Sequence, residues 1–247
     1  RLIELTPPGS EAARAALIRL AAWDHVMAAE QAEPLIYMAW LRELMRTLFE
    51  DELCSASSDK SCDVFKKYWS IRENAIFDAL KPGAAWCDDT GTAAREDCAA
   101  ATGTALEQAL NYLARRYGDN MDGWAWGEAH YAYSEHEVLG RVPVIGSLFE
   151  VRLANGGARN TVNAAGFSVR DEEPFAQNHG PAYRAIYDLD PLGQSYFIQN
   201  TGQSGNPLSS HYRDFADMWR DGEYVPLLMN RAQIESAAIG TLRLTPR

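Results

Sequence analysis

The sequence predicts an α+β fold, with helices in the first half of the chain and short strands in the second. Three observations predict it. Apolar residues recur at helical spacing through about residue 120. From Trp124 onward, compact β-like runs alternate with turn residues. The composition, 47% hydrophobic and 23% charged over 247 residues, is that of a globular chain long enough to bury a core. A helical layer is therefore expected over about 1–120 and a sheet-rich part over about 121–247, within a single region 1–247.

The elements follow in order. Leu2 to Leu5 reads as a short strand stopped by Pro7-Pro8-Gly9. Ser10 is placed to cap a helix over 11 to about 31, with Leu17, Leu20, Ala21 and Trp23 inward and Asp24 and Glu30 toward water. Pro34 opens a second helix whose broad apolar face carries Leu35, Met38, Ala39, Leu41, Met45, Leu48 and Phe49. Residues 54–62 are expected to cross as a loop, and about 63–80 to form a third helix with Phe65, Tyr68, Trp69, Ile76 and Leu80 inward, ended by Pro82-Gly83. A fourth helix is expected over 104–116, stopped at Tyr117-Gly118-Asp119. The β-like runs are VPVIGSLFEVRL, NTVNAAGFSV, AYRAIYDL, SYFIQN and TLRLT, interrupted by helices over about 209–220 and 231–239. Strands at both ends suggest a sheet begun elsewhere. No internal repeat or low-complexity linker is seen.

Net charge is −11, which repels phosphate backbones and argues against nucleic-acid partners. No apolar run approaches the roughly 20 residues that span a bilayer. No basic and apolar leader pattern stands at the start. Cys54 and Cys62 enclose SASSDKS, and Cys87 and Cys98 enclose DDTGTAARED. Neither pair has zinc spacing, so two local disulfides are the simplest reading, placing the protein in an oxidising compartment, periplasmic or secreted. Four cysteines allow three pairings, and four reduced thiols are the alternative.

One stretch invites a catalytic reading: TGQSGNPLSSHYRDFADMWRDGEYVPL, residues 201–227. Ser204 stands in Gly202-Gln203-Ser204-Gly205, with His211 and Asp214 close behind. A nucleophile elbow needs G-x-S-x-G, yet Asn206 occupies the second glycine's place, and His211 precedes Asp214. Seven residues stiffened by Pro207 do not readily set a serine and its base face to face. A tight glycine turn is the better reading. Glu128, His130, Glu135, His136 and Glu137 form an acid–imidazole cluster in WGEAHYAYSEHE, and a metallohydrolase using His130 and His136 is one possibility. Without a third converging ligand, a solvated polar face is the plainer account, and no metal is assigned. His25 and His179 stand alone. The dense aromatics, Trp124-Ala-Trp126 among them, are read as core.

Several motifs in order resemble the penicillin amidase family. They are Trp124-x-Trp126-Gly127-x-x-His130; Pro143-Val144-Ile145-Gly146-x-Leu148-Phe149; Asn160-Thr161-Val162-Asn163-Ala164; Gly180-Pro181-Ala182-Tyr183-Arg184-Ala185-Ile186-Tyr187-Asp188; and Gly202-Gln203-Ser204-Gly205-Asn206-Pro207 followed by Ser210-His211-Tyr212-x-Asp214, Trp219 and Gly222-x-Tyr224-x-Pro226-Leu227. The cysteine-bearing stretch over about 50–100 departs from the pattern and looks like an insertion. The resemblance implies an N-terminal nucleophile hydrolase, an αββα sandwich matured by self-cleavage, in which a serine at a new N-terminus attacks an amide. Its own α-amino group serves as base, and an α-amino group of pKa near 8 suits that role.

This chain begins with Arg1. The resemblance therefore implies the C-terminal portion of a β chain, with the nucleophile, the oxyanion asparagine and the family's calcium ligands upstream. No catalytic residue and no cofactor is assigned to this segment. Gly202, Gln203, Ser204, Gly205, His211, Tyr212 and Asp214 are expected to be a structural motif. The implied partners are the remaining acylase (upstream β-chain segment and α chain) and a small-molecule amide. The alternative is a non-catalytic binding or assembly domain derived from the same fold.

Overall fold

A computed structural model describes residues 1–54, 59–189 and 195–246. Along the chain come α1 (Leu2–Leu5), α2 (Glu11–Ala22), α3 (Glu33–Leu53), α4 (Asp59–Tyr68), α5 (Glu73–Ala79), α6 (Cys98–Tyr117) and α7 (Trp126–Ala129). The strands begin only then: β1 (Tyr131–Ser134), β2 (Val151–Ala154), β3 (Gly166–Phe167), β4 (Gln177–His179), β5 (Tyr183–Ile186) and β6 (Tyr196–Gln199). Then follow α8 (Ala216–Asp221), β7 (Val225–Pro226) and α9 (Arg231–Ala237). The expected segregation of helix before sheet holds. The chain divides into two compact units, residues 1–133 with 154–180, and residues 134–153 with 181–247.

The first unit is organised by α3, which packs chiefly against α6. Pro34 in its first turn needs no intrahelical donor, and Leu35, Ile36, Trp40, Leu41, Leu44 and Leu48 are all fully buried. A helix apolar on this many sides must be enclosed. The facing helix supplies Ala101, Ala105 and Ala109 in one row beside Leu106, Leu110 and Leu113, so small side chains let the two backbones approach. Asp97 caps α6 by accepting from Ala100 N, and Trp40 Nε1 donates to Thr102 O at 3.0 Å. Ser10 caps α2, and its own N–H and hydroxyl donate to the Glu107 carboxylate at 2.7 and 2.9 Å, pinning the start of α2 to α6. One charge is buried in α3: Glu43 accepts from Arg42 and from Arg46, the latter at 3.1 Å. At the end of the helix Thr90 N donates to Asp51 Oδ2 at 2.7 Å, tying the second cysteine loop to α3. Cys54 is joined to Cys62 and Cys87 to Cys98. Of the loop expected over 54–62, residues 55–58 fall outside the described residues and 59–62 are already the first turn of α4, so the helix begins earlier than expected. A small sheet completes the unit: β4 runs parallel to β1 (Ala132 opposite Gln177) and antiparallel to β3.

In the second unit β5, β6 and β7 form an antiparallel sheet with Arg184 opposite Ile198 and Phe197 opposite Val225. Helix α8 packs on β6 and buries Trp219. It ends at Gly222, whose φ of +74° is the left-handed conformation glycine adopts without a Cβ penalty. Glu223 N then closes onto Met218 O at 2.8 Å. Val151 and Leu153 of β2 point inward beside Ala216 and Tyr212.

Several boundaries differ from the sequence expectation. Leu2–Leu5 is one helical turn, closed by the Thr6 hydroxyl donating to Leu2 O at 2.7 Å, because four residues are too few for periodicity to separate helix from strand. The helix from residue 11 stops at Ala22: Trp23 is extended, Asp24 accepts from Val26 N, and His25 takes a φ of +64°. The expected 63–80 helix is two helices, broken at residues 69–72 with no Pro or Gly to signal it. The fourth helix starts earlier, at Cys98, under its Asp97 cap. In VPVIGSLFEVRL only the end is strand, because Pro143 withholds a donor and Val144 turns with a φ of +74°. In NTVNAAGFSV the strand is confined to Gly166–Phe167, with one isolated bridge from Ala164 to Ala158. TLRLT lies outside any strand, which removes the idea of strands at both chain ends. The helix expected over 209–220 begins at Ala216.

Candidate functional site

The Trp126–His130 motif is a buried frame rather than a reactive face. Backbone N–H groups of Trp126, Gly127 and Gly157 donate to the carbonyls of Gln31, Ala29 and Met27 at 2.8, 2.7 and 2.7 Å, fastening the loop that follows α2. Trp126 Nε1 donates to Gly157 O at 2.9 Å. Gly127 is required by space: a Cβ there would stand 2.9 Å from the Cβ atoms of both Ala29 and Ala154. The His130 ring stacks on Trp126 (centroids 4.5 Å, 13° between planes) and meets the edge of Phe167 at 5.6 Å. Its Nδ1 lies 2.7 Å from Phe175 O. A carbonyl only accepts, so Nδ1 carries the proton and Nε2 is a bare, buried lone pair with no partner among the described residues. Burial pushes the His130 pKa down to about 4, against a smaller upward pull from the Phe175 carbonyl, so the ring is neutral at physiological pH. Asn155, also fully buried, donates to Gln177 Oε1 at 2.8 Å and accepts from Asn163, which places the last residue of the TVN motif in a turn network.

Beside this frame the first unit holds a cavity of about 440 Å³. The end of α2 and the loop after it contribute Leu20, Trp23 and His25; α3 contributes Tyr37 and Met38. The break between α4 and α5 places Ser70 and Ile71 in the wall, and α5 adds Glu73 and Phe77. Segment 158–161 and Phe167 close the far side. Sequence reading missed this cavity, because it depends on two helix breaks that no Gly or Pro announces.

The 201–227 stretch folds as a turn-rich loop feeding α8. Ser204 N donates to His211 O at 3.0 Å and Phe215 N to Thr201 O at 2.9 Å, closing its two ends. The Ser204 hydroxyl accepts from Asn206 N at 3.1 Å, while His211 Nδ1 lies 2.8 Å from Asp214 Oδ2. The structure therefore brings His211 to Asp214 and leaves the serine hydroxyl in its own turn. Gly202 backs directly onto the His211 carbonyl, Gln203 and Gly205 are exposed, and the Gln199 side chain donates to Gly202 O at 2.6 Å. The Tyr212 hydroxyl donates to Phe149 O. Trp219 Nε1 donates to Pro181 O at 2.9 Å, and the Arg184 guanidinium lies 4.6 Å over the Trp219 ring while donating to Trp219 O at 2.7 Å. Thus the GPAYR and C-terminal motifs meet at one tryptophan.

The acid–imidazole cluster does not converge. His136 Nδ1 accepts from Leu139 N at 3.1 Å and its ring edge meets Phe149, whereas His130 is committed to Phe175. Glu135 approaches Arg141 at 3.8 Å; Glu128, Glu137 and His179 are exposed. Among the described residues no group of three or more His, Cys, Asp or Glu side chains is arranged to hold a metal ion. No helix among them is long and apolar enough to cross a membrane. A second pair escaped the sequence reading. Burial first, then a hydrogen bond with Asp51, pushes Glu52 up to about 8; burial also acts to raise Asp51, but bonds from Glu52 and Thr90 outweigh it and hold that carboxyl low.

Comparison with known proteins places this geometry in context. Residues 1–236 match the family described as penicillin amidase. The acyl-homoserine lactone acylase QuiP of Pseudomonas fluorescens is 31% identical over 98% of this chain, which corresponds to 29% of that protein. Penicillin acylase 2 proenzyme of a Pseudomonas species is 28% identical over 100% of this chain and 30% of its own length. A thermostable penicillin G acylase from Alcaligenes faecalis superposes with a TM-score of 0.51 at 15% identity, covering 100% of this chain and 44% of that one, a likeness of fold. The chain thus spans under a third of the length of these curated relatives. It belongs to the penicillin amidase family.

Proposed function

We propose that this member of the penicillin amidase family is the portion of an amidohydrolase that frames the amide-cleaving site rather than performing the cleavage. The complete enzyme hydrolyses a linear amide, releasing an acyl group from a β-lactam, an acyl-homoserine lactone or a similar amine. Its nucleophile is an N-terminal serine outside these 247 residues. The observation that carries this reading is the match of residues 1–236 to the family, in a chain that spans only 29% of its acyl-homoserine lactone acylase relative. The local geometry supports it: the Ser204 hydroxyl is engaged by Asn206 N and His211 by Asp214, so neither forms a nucleophile–base pair. On the same reading the chain is the C-terminal part of an αββα sandwich, its partners are the remaining acylase chains, and the calcium site lies upstream. The two cystines favour a periplasmic or secreted location.

The test offers chromogenic phenylacetyl and long-chain acyl amides to the 247-residue chain and to the polypeptide of its whole reading frame. Turnover is expected only from the longer protein and should vanish when its N-terminal serine is replaced. Turnover by the 247-residue chain alone overturns the proposal.

A further inference from the structure

The cavity of the first unit is apolar on most sides and carries one carboxylate in its wall. Glu73 lines it, and no hydrogen bond or ion pair holds its carboxylate among the described residues. Tyr37, a neighbouring wall residue, has a phenol without a hydrogen-bond partner among the described residues. The Tyr37 and Trp23 rings lie 5.6 Å apart at 51°, so two aromatic faces converge on one end of the cavity. The Glu73 charge reaches this corner: burial first, and the Glu73 carboxylate second, push the Tyr37 phenol up. His25 closes the rim, its ring 5.3 Å from Trp23 and its backbone in the left-handed region, a conformation that costs on the order of 1 kcal/mol for a non-glycine residue. An unpaired carboxylate beside aromatic faces, partly withdrawn from water, attracts a cation by direct charge and by the ring quadrupoles together.

We propose that this cavity is a binding site for an organic ammonium ion on an apolar body, with Glu73 facing the charge, Trp23 and Tyr37 flanking it, and Met38, Ile71 and Phe77 enclosing the hydrocarbon part. The volume of about 440 Å³ is within the range of small-molecule sites. Two guanidinium groups also line the cavity. Arg1 is exposed and Arg159 donates to Phe167 O at 3.1 Å, and among the described residues neither forms an ion pair with Glu73. The proposal does not rest on amidase activity and concerns the 247-residue chain itself.

Isothermal titration of that chain with 3-phenylpropylammonium, 3-phenylpropanol and 3-phenylpropanoate tests it, since the three probes share a body and differ in charge. One saturable site is expected for the ammonium ion, about tenfold or more tighter than for the alcohol, with the carboxylate weakest. Glu73→Gln should remove that tenfold advantage and leave the alcohol unchanged. Equal affinity for ammonium and alcohol, preference for the carboxylate, no saturable ammonium binding, or an unaltered ammonium affinity in a folded Glu73→Gln chain each overturns the proposal. The three-probe comparison on the unsubstituted chain decides the matter even if the variant does not fold.

Discussion

Two histidine motifs, one in each unit, read alike in sequence and live in opposite surroundings. His130 is fully buried, stacked on Trp126, held by one carbonyl and kept neutral. His211 is exposed and faces Asp214 across one helical-type step, in a loop closed by backbone hydrogen bonds. The first motif is a packing device, in which each atom fills a place. The second is a turn device, in which backbone closure matters more than any ring. A string of Trp, Gly and His or of Ser, His and Asp therefore does not by itself separate chemistry from architecture; burial and hydrogen-bond partners do.

The largest effect expected from breaking this contrast is at Trp126. Trp126→Ala should destabilise the first unit by about 3–5 kcal/mol, since a fully buried indole leaves a cavity and strands its partner carbonyl at Gly157. Urea unfolding followed by fluorescence measures it, and a loss under about 1 kcal/mol would contradict the packing role. Gly127→Ala should cost about 1–3 kcal/mol by the same assay, because its Cβ would press on Ala29 and Ala154 at 2.9 Å.

The pH dependence sharpens the contrast from the side of charge. His130 has a folded-state pKa near 4, below its ordinary 6.5, so the fold prefers the neutral ring. Its contribution is complete above pH 6.5 and is lost as pH falls from 6.5 toward 4, with a slope of up to roughly 1.4 kcal/mol per pH unit. His130→Phe should flatten that part of the stability–pH curve; an unchanged slope would show that other groups produce it.

The smallest effects belong to the exposed loop. Tyr212→Phe removes one hydrogen bond to Phe149 O and should cost about 1 kcal/mol. His211→Ala should cost no more than about 1 kcal/mol, the worth of an exposed side-chain hydrogen bond. A loss of several kcal/mol at His211 would reverse the comparison and make the loop a core element.

Much of this was legible in the residues. The apolar face of α3, the Ser10 cap and the helix-then-sheet order follow from periodicity and capping chemistry. The mismatch of Ser204 with a nucleophile elbow was legible from the place of Asn206 alone. Illegible were the end of α2 at Ala22 and the break before Glu73, where good helix-forming sequence is overruled by contacts far along the chain. The carbonyls of residues 27, 29 and 31 are claimed by Gly157, Gly127 and Trp126. The Lys67 carbonyl accepts from Arg170, 103 positions away.

By itself the sequence determined the fold class, the family and the main buried helix, because these rest on local spacing and on ordered motifs. Tertiary structure alone decided that His130 is an uncharged core ring and that Glu73 lines a cavity with aromatic walls. The physical reason is that a charge or an imidazole takes its meaning from solvent and partners, and those arrive from residues that only folding brings near.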